Sequence, residues 1–112
     1  MPILRFLEDV KFDSLYIQML LETATSKEIR IVMPKDKEMH EHYAPGAIMV
    51  RVLSGQIWFE VEGKRHILRV GDCIALDAHI RHSLGGLEDS VLNLSLSKLD
   101  NVQRVLDVAS SK

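Results

Sequence analysis

All five histidines of this chain fall between positions 40 and 82: His40, His42, His66, His79 and His82. Imidazole is the commonest metal-ligating side chain and the usual proton carrier near neutral pH. Two segments hold four of them, PKDKEMHEHYAPGAIMVRVLSG (34–55) and GDCIALDAHIRHSLGG (71–86). A transition-metal site with open positions takes about three protein ligands, and His40, His42 and His82 are the candidate set. Three neutral imidazoles without a carboxylate suit a divalent transition metal such as Zn, Ni, Fe or Mn. The competing chemistry is a metal-free pocket in which histidines are the polar tips.

The elements that must position these residues read as short strands. LYIQMLLE (15–22), EIRIVM (28–33), AIMVRVL (47–53), QIWFEV (56–61), RHILRV (65–70), CIAL (73–76) and SVLNLSL (90–96) are rich in β-branched and other apolar residues. Turn signals separate them, including Pro45-Gly46, Ser54-Gly55, Glu62-Gly63, Gly71-Asp72 and Gly85-Gly86. Strands at this spacing predict an all-β sandwich or barrel. In QIWFEV, Ile57, Phe59 and Val61 share one face, which predicts the lining. Trp58 then points outward among polar residues and calls for cover by another segment or subunit. The tail changes period: Leu99, Val102, Val105 or Leu106, and Ala109 recur at helical spacing with Asp100 as N-cap, which predicts a short C-terminal helix.

Composition narrows the classes. The chain has 112 residues, 46% apolar and 27% charged, with a formal net charge of −2. It is long enough for one core, and no linker, repeat or low-complexity stretch divides it, so residues 1–112 read as one domain. Scattered Lys and Arg with a slightly acidic balance argue against nucleic acid or an anionic membrane as partner. The single cysteine, Cys73, excludes an internal disulfide framework and reads as a small buried hydrophobe in a reducing compartment. With no apolar run long enough for a bilayer and no signal-peptide core, a cytoplasmic protein is expected.

The strands, turns and histidines together resemble the cupin superfamily of small jelly-roll β-barrels, over roughly residues 28 to 97. The family's second motif runs Gly, five residues, Pro, one residue, Gly, two residues, His. Here it reads from Gly71 to His82, within about 71–86, with Asp77 in place of the proline and His79 in place of the second glycine. The first motif, about 36–55, is broken. Counted back from Gly55, its two histidine positions hold His42 and Ala44, its glutamate position Ile48 and its leading glycine Asp36. In a second register His40-Glu41-His42 is the histidine pair and the glutamate falls at Gly46 or Ala47.

The resemblance implies a cupin-type jelly-roll β-barrel that binds a small molecule, with Ile48, Val50, Val52 and His66 lining the pocket and His40, His42 and His82 as metal ligands. His40 and His42 are two apart and share a side of an extended strand. Glu38, Glu41 and His79 read as exposed, Arg51 as outward, and Asp72 as a turn residue. The alternatives are a metal-dependent dioxygenase or isomerase, and a non-catalytic regulatory dimer. No nucleophile–base pair, phosphate loop or paired carboxylates appear, so catalytic residues are unassigned. Trp58 and the apolar segment 15–22 lead us to expect a homodimer.

Overall fold

The structure, a computed structural model, describes residues 2–98. Nine strands follow in order: β1 (Tyr16–Glu22), β2 (Ser26–Met33), β3 (Glu38–His42), β4 (Ile48–Ser54), β5 (Gln56–Val61), β6 (Lys64–Arg69), β7 (Cys73–Leu76), β8 (His82–Gly86) and β9 (Ser90–Ser97). They form a five-stranded sheet in the order β1-β2-β9-β4-β7 and a four-stranded sheet in the order β3-β8-β5-β6. All ladders between these strands are antiparallel. The helix expected from Leu99 to Ala109 lies outside the described residues.

Period-2 alternation aims one face of each strand at the space between the sheets. β2 contributes Ile29, Ile31 and Met33, β4 contributes Ile48, Val50 and Val52, and β5 contributes Ile57 and Phe59 to one buried cluster with Leu68, Leu84 and Leu92. Each such side chain, fully buried, stabilises the fold by about 1.5–3 kcal/mol relative to exposure. Ile48, Val50 and Val52, expected as pocket lining, therefore do face inward, and they are 6%, 2% and 0% exposed in a packed core.

Turn chemistry sets the corners. Glu62 and Gly63, with φ of 53° and 77°, close the β5–β6 hairpin; two successive positive φ values are the signature of a hairpin turn whose twist matches its strands. The Asp72 carboxylate accepts from the Arg69 backbone N–H at 2.8 Å, which pins the turn into β7 as its residue type predicts. Gly85-Gly86, read as a turn, instead ends strand β8. Gly85 is the register partner of Trp58, and a Cβ there would stand 2.5 Å from the indole. Glycine thus makes a flat seat for the ring. The Arg65 guanidinium covers the other side, 3.9 Å from the ring centroid. The cover expected for Trp58 comes from its own sheet.

Candidate functional site: a pair of facing histidines

β3 and β8 are edge and neighbour in the smaller sheet, and their pairing brings two histidines together. Met39 pairs with Leu84 and His42 with His82, so β3 advances three residues while β8 advances two. That extra residue is a β-bulge, and it reverses the alternation of β3. Met39 and His42 consequently both turn inward, and His40 and Glu41 are left outside. The His40 side chain is 90% exposed, 3.6 Å from Glu38. The two-residue parity expected to carry His40 and His42 to the same side does not survive the bulge.

The imidazoles of His42 and His82 meet edge to face, with centroids 4.3 Å apart and planes at 62°. Phe59 stacks on the other side of His82, at 5.4 Å and nearly parallel. His82 is 4% exposed. Burial pushes its pKa below the ordinary 6.5; the Ile80 carbonyl opposes that shift and the neighbouring charge of His42 adds to it.

Each ring is also held by its own strand entry. His42 Nδ1 lies 2.6 Å from the His40 carbonyl oxygen, and His82 Nδ1 lies 3.0 Å from that of Ile80. A carbonyl can only accept, so in both rings Nδ1 carries the proton and donates it. The neutral tautomer then leaves both Nε2 lone pairs free. Among the described residues Arg30 Nε is the only fully buried side-chain nitrogen or oxygen without a partner, so the unpartnered Nε2 of His82 keeps an opening to solvent. The pair is thus two oriented acceptors at the rim of an apolar core.

The remaining sequence candidates lie elsewhere. His66 is the register partner of Phe59 but is exposed, because β6 is the open edge of its sheet. His79, exposed with φ of 67°, donates its N–H to the Ala44 carbonyl at 2.9 Å and ties the two motif loops together. Ala44 packs against the core beside buried Ile48. Cys73, expected as a buried hydrophobe, is exposed on edge strand β7. Glu41 is exposed and 3.8 Å from Arg81, and Arg51 points outward.

Two sheets of antiparallel strands with a histidine at each motif match a known family. The cupin domain profile covers residues 29–96. This chain belongs to the cupin family. No curated protein matches its sequence. Among solved structures, this cupin is similar to an RmlC-like cupin from Desulfovibrio desulfuricans, with TM-score 0.79 and 18% identity over 87% of this chain and 96% of that one. It is also similar to an RmlC-like cupin with a double-stranded β-helix fold from Methanocaldococcus jannaschii, with TM-score 0.74 and 15% identity over 93% and 96%. KdgF from a Halomonas species aligns with TM-score 0.67 and 21% identity over 79% and 83%. Identities this low establish the fold of this cupin and nothing finer.

A cupin metal centre needs its ligand set, and this chain departs from it. Two imidazoles converge, the third histidine stands outside, and apolar Ala44 and Ile48 fill the other two ligand positions. Among the described residues no group of three or more His, Cys, Asp or Glu is placed to hold a metal ion. The residues do not fit a three-ligand transition-metal site. No helix among them is long and apolar enough to cross a membrane.

Proposed function

We propose that this cupin is a cytoplasmic small-molecule binding protein whose ligand donates hydrogen bonds to the paired Nε2 atoms of His42 and His82. The observation that carries this reading is the double Nδ1–carbonyl lock, which fixes both neutral tautomers and leaves an Nε2 acceptor on each of two rings whose centroids are 4.3 Å apart. A cavity of about 110 Å³ follows on the loop after His42, lined by Lys27, Ala44, Pro45, Gly46, Ala47, Leu96, Ser97 and Lys98 and by neither histidine, so the ligand of the pair is small and reaches the rings from outside it. Hydroxyl-bearing molecules supply the required donors. The dioxygenase and isomerase readings rest on a three-histidine metal set, and His40 is not available to it.

Long-range ¹H–¹⁵N spectra of the imidazoles test the reading. In the neutral form of each ring the proton is expected on Nδ1 and not on Nε2, and addition of small polyols or hydroxy acids is expected to move the Nε2 resonances saturably. Protonated Nε2 in either neutral ring, or no response across such a panel, overturns it.

A second copy of this chain is the partner we propose. Ile17 and Met19 pair with core residues Ile31 and Ile29, so they face the same side, yet each is 54% exposed. The larger sheet has five strands against four in the other, and among the described residues the Ile17 and Met19 side chains of β1 are left uncovered. Its outer edge also presents unpaired backbone groups. A symmetric dimer covers both.

A further inference from the structure

The segment before β1 crosses the outward face of the larger sheet and leaves a groove of about 750 Å³, whose lining includes Ile3, Leu4, Tyr16, Gln18, Leu20 and Arg30. That volume is within the ordinary range for small-molecule sites, unlike the cavity beside Ala44. Arg30 points outward from β2 between core residues Ile29 and Ile31, and it is nonetheless 6% exposed. Its Nη1 donates to the carbonyls of Phe6 at 3.3 Å and Glu8 at 2.9 Å, and its Nη2 to Gln18 Oε1 at 2.5 Å.

Two features of Arg30 are left unexplained by a role as a latch for the N-terminal segment. Three of a guanidinium's five donors have acceptors, and Nε is fully buried with none. The charge is also unmatched: among the described residues no carboxylate oxygen comes within 4.0 Å of its nitrogens. Glu8 and Asp9 line the same groove but are exposed. Neutral acceptors are enough for a latch, whereas a buried cation is costly until an anion joins it.

We propose that this groove binds an organic oxyanion, a carboxylate or a phosphate ester, with an apolar body. Nε–H and the neighbouring Nη2–H of a guanidinium point the same way and match two oxygens of one anion. Arg5 adds a second positive charge at the lining, where exposed Glu8 and Asp9 are the opposing charges, and Ile3, Leu4, Tyr16 and Leu20 receive the apolar part. Because Nε is closed off, binding exchanges part of Arg30's hold on the N-terminal segment for the ligand. The site is independent of the histidine pair, which lies on the inner side of the other sheet.

Titrating ¹⁵N-labelled protein with sodium octanoate, octyl phosphate or sodium chloride at constant ionic strength tests the proposal. Saturable shifts are expected at Gln18, at the Arg30 amide and at Arg30 Nε with either organic anion, and the tighter of the two names the headgroup. Arg30→Gln is expected to weaken binding roughly tenfold or more, the worth of a charge-assisted contact. Ile3 is 71% exposed, so Ile3→Asp keeps the fold and sets a like charge in the groove; it is expected to weaken binding several-fold, while His42→Ala leaves it unchanged. Equal shifts with chloride overturn the proposal, as does an Ile3→Asp protein that binds as well as wild type.

Discussion

His42 and His82 face each other as direct register partners across β3 and β8, with ring centroids 4.3 Å apart. The contact exists because a bulge before His42 turns that side chain inward at the one position where His82 stands opposite. Phe59 closes the far side of buried His82, while His42 is half-buried, and each ring still presents a free acceptor.

That packing sets a stability difference between histidines that the sequence treats alike. His82→Ala removes a ring held between Phe59 and His42 and is expected to cost about 2–4 kcal/mol, in line with large-to-small core changes. His40→Ala, at a 90% exposed side chain, is expected to stay within about 0.5 kcal/mol. Urea unfolding at pH 7.5 followed by fluorescence measures both. Equal effects would mean that the bulge is absent in solution.

Acid should weaken the fold through His82. Its folded pKa lies below the ordinary 6.5, with burial as the main cause, so in that window the unfolded chain takes up a proton that the folded one refuses. Stability therefore rises with pH between the folded and unfolded values and falls on acidification, by at most about 1.4 kcal/mol per pH unit for one group. Glu28 acts in a more acidic window. Burial raises its pKa, but hydrogen bonds from Ser95, Ser26 and Asn93 with the charge of Arg51 leave it below 4.5, so its contribution is lost only as that carboxylate protonates. Denaturation curves from pH 7.5 to 5 should show a decline that His82→Gln flattens.

Untagged protein titrated with Zn or Ni should respond to the pair and ignore the third histidine. His42→Ala and His82→Ala are each expected to weaken any binding by about tenfold or more, as loss of one of two ligands implies, and His40→Ala to leave it unchanged. Calorimetry resolves the three. Equal losses in all of them would restore the three-histidine set.

Gly85→Ala probes the seat beneath Trp58. The new Cβ meets a rigid ring that Arg65 blocks from above, so overpacking of about 1–3 kcal/mol is expected, with a red shift of tryptophan emission as the indole is pushed toward water. An unchanged spectrum together with unchanged stability would contradict the contact.

Self-association is tested at β1. Sedimentation velocity is expected to give a dimer for the wild type and a monomer for Ile17→Glu, Met19→Glu or both. A monomer at every concentration of the wild type rules out the second copy as the cover for these side chains.

The nine strands were not equally legible. EIRIVM, AIMVRVL and QIWFEV are apolar because both sheets bury one face of each, and local composition reveals that burial. EMHEH and HSLGG, which became β3 and β8, carry the candidate site and have no such composition. β3 is an exposed edge made of charged and polar residues, and β8 ends in glycines that serve Trp58. Their extended conformation comes from ladder hydrogen bonds to neighbours distant in sequence. Likewise Cys73 looks buried from the apolar run around it, but edge strand β7 leaves it exposed.

The sequence alone determined the short strands and the inward sets Ile48-Val50-Val52 and Ile57-Phe59, because alternation and turn residues act over a few neighbouring positions; the cupin architecture was legible through the resemblance of its two motifs, which also singled out His42 and His82 as candidates. The tertiary structure decided which histidine accompanies His42, since one extra residue in β3 reverses every side chain beyond it and only the partner strand reveals where it is inserted. It also decided that Arg30, one of several scattered basic residues, is buried: the segment that covers it lies more than twenty positions away, beyond the reach of any local pattern.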